Sequence, residues 1–228
     1  MPHVPRFLSA LVLFAAASVC AAPPATVTDV KNPAVKELVD LRTTDAGLRF
    51  NIRYATTHNF MGRQLYLVAG AWLHRDAAKA LLEVQRDLKS QGLGLEIYDA
   101  YRPLSVQQQM WDLVHDERYV SDPAINAGRH TRGTAVDVTL VDAEGKELPM
   151  PTEFDDFTRK AHRDAKGIPA EARHNSEVLE QAMTRHGFIP YPYEWWHFDL
   201  SGWEKHPPLD IPLSELEKEA VGKAGRSK

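Results

Sequence analysis

Two short segments carry residues whose types and spacing suit hydrolytic chemistry. His130 and Asp137 stand seven apart in His-Thr-Arg-Gly-Thr-Ala-Val-Asp, and Glu194 and His197 stand three apart in Glu-Trp-Trp-His. Two imidazole nitrogens and one carboxylate oxygen make a three-ligand tetrahedral set for zinc, with a fourth position open to water. Glu194 is then a spare carboxylate close to that water, placed to take its proton. Arg102 ends an apolar run in Asp99-Ala-Tyr-Arg-Pro103, where a strand end can deliver a guanidinium into a cleft to stabilise negative charge.

Each of these residues also has a plainer reading. Asp137 can pair with Arg129 or Arg132, or lie on the wet face of its strand. Glu194 and His197 can be incidental polar residues of an aromatic edge strand, and Arg102 can form a structural salt bridge to Asp99 or Asp112. The chain has ten histidines, and His74, His162, His174 and His206 sit in exposed-looking company and are expected to be solvated.

The elements that must position these groups are a mixture of helices and short strands. Leu48, Phe50, Ile52 and Tyr54 alternate with polar residues at the period of a half-buried strand. A helix is predicted from Arg75 to Gln91, with Ala78, Leu81, Val84 and Leu88 on one face and Gly92 as its stop. Leu95–Tyr98 reads as a strand, and Ser105 with Gln108 as a capping box that opens a helix. A strand is expected over Thr134–Val141, with a hairpin turn at Asp142–Gly145. Pro149 to Pro169 is irregular and polar, a length unusual in a compact domain unless it covers a site. Ser176–His186 is predicted helical and Trp196–Leu200 a strand. Glu194 and His197 would face opposite ways on a flat strand, so a turn or bulge is required at Tyr193-Glu194. A capping box at Ser214 and Glu217 predicts a short terminal helix. With no βαβ rhythm, the expected fold is α+β: one domain with a central antiparallel sheet flanked by helices and a zinc site at the sheet.

Length and charge narrow the function. The chain has 228 residues and a formal net charge of −4, enough for one well-buried core and no basic surface for nucleic acid. Residues 1–21 read as a signal peptide: Arg6, then an apolar run from Phe7 to Val19 too short to anchor in a bilayer, then small residues at Val19-Cys20-Ala21. Residues 22–34 read as a flexible leader, 35–207 as the functional domain, and 208–228 as a short helix with a frayed tail. Export, to a periplasm, is the expected location. Lipidation at Cys20 is the lesser alternative, because Val19 rather than a small residue precedes it. Cys20 is the single cysteine, so neither a disulfide nor a thiolate metal site is available to the domain.

Together these segments resemble the zinc-dependent D-Ala-D-Ala dipeptidases, the VanX-type branch of a peptidase family that also holds D,D-carboxypeptidases. The resemblance runs through Asn51–Phe60, Asp99–Pro103, His130–Leu140, Met150-Pro-Thr-Glu-Phe-Asp155 and Glu194-Trp-Trp-His197-Phe, in order along the chain. It implies one zinc per chain held by His130, Asp137 and His197, with Glu194 as catalytic base and Arg102 stabilising the oxyanion. Asp155 falls where the family has an aspartate near the substrate's ammonium group. The implied partner is a small D-dipeptide, with no nucleic acid and no membrane beyond the export signal. Gly128 departs from the family, which commonly has serine two residues before the first histidine. The alternative is a D,D-carboxypeptidase acting on peptidoglycan stem peptides, a branch that typically has Glu-Pro-Trp-His where this chain has Glu194-Trp-Trp-His197. A wall-binding module without catalysis is a third reading, and it needs neither Glu194 nor Arg102.

Overall fold

The computed structural model describes residues 33–44 and 47–224. The predicted signal peptide, nearly all of the leader and the last four residues of the tail lie outside the described residues. Strands β1 (Leu38–Asp40), β2 (Arg49–Phe50) and β3 (Trp72–His74) come first, followed by helix α1 (Arg75–Lys89), β4 (Gly94–Asp99) and helix α2 (Leu104–Trp111). Then come β5 (Ala135–Val141), helix α3 (Ala170–Arg185), β6 (Phe188–Pro190), β7 (His197–Leu200) and helix α4 (Leu213–Ala224).

A five-stranded sheet in the order β2-β4-β5-β7-β6 carries the site, and β1 and β3 form a separate antiparallel pair. The expectation of an antiparallel sheet needs correction. β4, β5, β7 and β6 are antiparallel, but β2 runs parallel to β4, so the sheet is mixed. The reason is the connection: the chain leaves β2, passes through β3 and α1, and re-enters beside β2 in the same direction, as a parallel crossover must.

All seven residues of β5 are buried, so the central strand is covered on both faces. Ala78, Leu81, Val84 and Leu88 form the buried face of α1 as their spacing predicts. Each such leucine or valine stabilises the fold by about 1.5–3 kcal/mol through removal of apolar surface from water. α3 begins at Ala170, six residues before the predicted start. Its first turns, Ala-Glu-Ala-Arg, form helix by propensity without apolar periodicity, and Asn175 Nδ2 ties it to the Pro149 carbonyl at 2.8 Å. The strand expected over Leu48–Tyr54 shortens to Arg49–Phe50, because Arg53–Ala55 coils into a 3-10 turn that carries Tyr54 into the core.

Candidate metal centre

Strand register places two of the predicted ligands. Asp137 of β5 lies directly opposite His197 of β7, and on its other side opposite Asp99 of β4, where the β4 register shifts. Directly opposed residues in an antiparallel pair bring their side chains close on one face. The third predicted ligand, His130, sits in a 3-10 turn, His130–Arg132, just before β5. That turn closes through Gly133 at φ +65 and is held by Arg102 N donating to the His130 carbonyl at 3.1 Å and Leu209 N to that of Thr131 at 2.8 Å. Glu194 lies off the strand, after a turn at Pro192-Tyr193, as the three-residue spacing requires.

The three donor atoms converge. His130 Nε2 is 3.1 Å from His197 Nδ1 and 3.3 Å from Asp137 Oδ1, and His197 Nδ1 is 3.0 Å from that same oxygen. Hydrogen bonds outside the cluster orient both imidazoles. His130 Nδ1 donates to the Ala100 carbonyl at 2.6 Å, which can only accept, and His197 Nε2 faces Asp199 Oδ1 at 2.9 Å. The nitrogens facing each other are therefore the ones able to offer lone pairs to a cation, aimed with a carboxylate oxygen at one point. Three acceptors without a donor repel unless a cation stands among them. A tetrahedral ion with bonds of ~2.0–2.1 Å sets its ligands ~3.3–3.4 Å apart, close to the spacing found. The residues fit zinc, down to the outer acceptors that orient each ligand histidine.

Charges at the cluster say the same. Burial opposes protonation of His197, yet Asp199 and Asp137 together push its pKa up to about 10. Burial raises Asp137, but His130 and His197 outweigh it and hold the carboxylate well below its usual range. A positive charge is thus demanded here, as a proton or as a metal ion. Glu194 Oε2 lies 3.8 Å from His197 Nδ1. Burial pushes Glu194 up to about 8, against the pull of His197.

These groups open onto a pocket of about 550 Å³, including its mouth, which is also lined by Arg102, Asp155, Tyr54, Phe157, Gly128 and Arg129. Arg102 makes the expected salt bridge to Asp99 and also lines this pocket. Its Nε and Nη2 donate to Asp99 Oδ2 at 3.1 and 2.8 Å, its Nη1 donates to Gln107 Oε1 at 2.8 Å, and so braced it reaches the pocket. The salt bridge is what aims the guanidinium. Asp155 comes from the long 149–169 segment and holds φ +63, a conformation aspartate tolerates better than most residues. Its Oδ1 accepts from the Tyr54 hydroxyl and its Oδ2 from Phe60 N, both at 3.0 Å. Burial pushes it up to about 7 despite these two donors.

The plainer reading of Asp137 fails, because its ion pairs are with His130 and His197. Arg129 pairs with Asp199 at 3.5 Å, and Arg132 bonds to the carbonyls of His206 and Asn126. Among the histidines expected to be solvated, His174 is exposed, His74 and His206 are half-buried, and His162 is buried with its Nε2 3.1 Å from the Tyr119 hydroxyl. Two residues the sequence reading passed over support the site. Asp199 is two residues beyond His197, hence on the same strand face, and that spacing was a legible signal. Arg163, in the irregular segment, donates to the carbonyls of Tyr191, Trp195 and His197 at 2.8–3.1 Å and to Glu180 at 2.9 Å. It fastens the backbone that carries Glu194, and nothing local in the sequence marks it.

The D-ala-D-ala dipeptidase family of peptidases matches residues 34–210. The D-alanyl-D-alanine dipeptidase of Escherichia coli is 38% identical over 173 residues, which are 76% of this chain and 89% of that protein. That of Enterococcus faecalis is 32% identical over 174 residues, 68% of this chain and 86% of the other. Among solved structures, a vancomycin-resistance D,D-pentapeptidase in complex with Zn(II) gives a TM-score of 0.39 at 18% identity, covering 61% of this chain and 79% of that one.

Proposed function

Since the chain belongs to the D-Ala-D-Ala dipeptidase family of peptidases, we propose that it hydrolyses free D-Ala-D-Ala to D-alanine, using one zinc ion held by His130, Asp137 and His197. The convergence of three lone-pair donors within 3.0–3.3 Å carries this reading. When bound, the ion supplies Lewis acidity that lowers the pKa of water towards ~7 and polarises the scissile carbonyl. Glu194 takes the proton of the attacking water and returns it to the departing amine. Its buried carboxyl suits that shuttle, and a neighbouring divalent charge favours its ionised form. Arg102, fixed by Asp99 and Gln107, donates to the oxyanion that develops on the carbonyl oxygen. Asp155 at the other end of the pocket receives the substrate's ammonium group, which would draw its pKa down from about 7. A site that must satisfy both ends of its substrate favours a short free dipeptide over a chain terminus.

The same reading takes residues 1–21 as a removable export signal, delivering the chain to the periplasm where it would meet wall-derived dipeptide. Amino-terminal sequencing of the protein recovered from a periplasmic extract tests that part.

The decisive assay is D-alanine release from D-Ala-D-Ala, beside L-Ala-L-Ala and a D-Ala-D-Ala-terminated pentapeptide. Glu194→Gln is expected to lower kcat by ~10²–10⁴-fold while zinc content stays unchanged. Release from the pentapeptide alone would move the protein to the D,D-carboxypeptidases. Full activity in Glu194→Gln would remove the assigned base.

A further inference from the structure

Away from the pocket lies a second histidine–carboxylate cluster that the proposed chemistry leaves unused. His74 ends β3 and caps α1, Asp76 is in the first turn of that helix, and His206 follows the turn at Trp203–Lys205. The imidazoles of His74 and His206 approach to 4.0 Å between centroids. Asp76 Oδ2 is 3.5 Å from His74 Nδ1 and 3.9 Å from His206 Nε2, and one ligand atom from each residue lies within 4.8 Å of the others. Glu37 Oε2 stands 3.9 Å from His74 Nε2. That is beyond hydrogen-bond reach, and the same oxygen pairs with Arg75 Nε at 2.8 Å, so it is the Asp76 N–H donating to Nδ1 that marks Nδ1 as the lone-pair nitrogen. The bond from Asp76 N to His74 Nδ1 is long, at 3.3 Å, and easily exchanged.

Both histidines are also tied to the turn that carries His130. His74 N donates to the Gly133 carbonyl at 2.8 Å, and Arg132 Nη1 donates to the His206 carbonyl. We propose that His74, Asp76 and His206 bind a second divalent transition-metal ion, which clamps the segment after β7 to the start of α1 and braces the His130 turn. Two imidazoles and one carboxylate suit Zn²⁺, Co²⁺ or Ni²⁺ rather than Ca²⁺ or Mg²⁺. The donor atoms stand farther apart than the ~3.3 Å a tetrahedral ion needs, and Asp76 is exposed. This ion therefore binds more weakly than the one in the pocket, after small side-chain rotations.

Equilibrium dialysis of the purified chain against Zn²⁺ tests this. Two ions per chain are expected, one tight and one weak. His206→Gln should lose the weak ion and keep the tight one, Asp76→Asn should weaken the same step by ~10-fold or more, and His197→Ala should retain the weak ion. In His197→Ala, Zn²⁺ should still raise Tm, an increment that the His197→Ala, His206→Gln double variant lacks. One ion per chain in the wild type, or a weak ion that survives His206→Gln, would overturn the proposal. Should His197→Ala keep the tight ion, the pocket assignment fails, while loss of the weak ion in His206→Gln still upholds the second site.

Discussion

Asp199 contributes no atom to the three-ligand set, yet it decides which nitrogen of His197 faces Asp137. An imidazole freed from that carboxylate could turn or change tautomer, and the site would lose one lone pair for part of the time. Asp199→Ala is therefore expected to weaken zinc binding by ~10–100-fold, read by competition with a chelator of known affinity; an unchanged affinity would show that strand register alone orients His197. At this scale the sequence was most legible for which polar residues gather. His130, Asp137, Glu194, Arg102 and Asp155 all line one pocket, and their residue types and spacing had singled them out. It was least legible for residues that act through the backbone. Arg163 reaches three carbonyls around the Glu194 turn, and no motif encodes an arginine's choice of carbonyl. Gly128 adds a different lesson. It has φ +75 and follows Ala127 at φ +59, a locally left-handed backbone that a serine at position 128 would strain.

The turn between His130 and β5 is the element on which the site depends. Gly133 takes φ +65, and a Cβ there would stand 2.8 Å from Leu38 Cδ2 and 2.9 Å from His74 N, a side chain and a backbone atom of the β1–β3 pair. Gly133→Ala must pay the left-handed penalty of ~1–2 kcal/mol and also push the turn off that pair. It should lower Tm by ~5–10 °C and weaken zinc binding. Gly167→Ala, at φ +75 with nothing within 4 Å of its Cβ, should show only the smaller backbone cost and normal zinc affinity. Equal losses in the two variants, measured by thermal melts, would mean that the crowding at Gly133 is relieved without cost. The elements with strong periodicity were readable in advance: α1, β5, and the turn before His197. β1, β3 and β6 were not. Each is three residues long, too short to show alternation, and each exists because a neighbouring strand pairs with it. The direction of β2 was unreadable for a related reason, since a two-residue strand takes its sense from the crossover that precedes β4 and from no pattern of its own.

For the whole molecule, the site is a store of unfavourable electrostatics that a metal ion relieves. Without a metal ion, burial pushes Glu194 up to about 8 and Asp155 up to about 7, and Asp199 with Asp137 pushes His197 up to about 10, all above the values these side chains have in an unfolded chain. A raised folded pKa contributes stability that is complete below the unfolded pKa and is lost as pH rises through the folded one. For the two carboxyls the loss runs from about pH 4–5 up to about 7–8, and for His197 from about 6.5 up to about 10. Asp137 acts in the opposite sense, but its depressed pKa confines its effect to acid, below the usual carboxylate range. Between pH 6 and 9 the three raised groups therefore act in succession, Asp155 and Glu194 up to about pH 7–8 and His197 beyond, and chelator-treated protein should lose on the order of 10 °C or more in Tm. Glu194→Gln should lessen that slope, because the amide has no proton to lose at the buried position. Zinc should flatten it further: the ion replaces the proton on His197, favours ionised Glu194, and adds a stabilisation that grows with its free concentration. Thermal melts from pH 6 to 9, with chelator and with zinc, read both effects. A metal-free Tm that holds steady or climbs over this range would mean that His130, His197 and the carboxylates settle their charges without a cation.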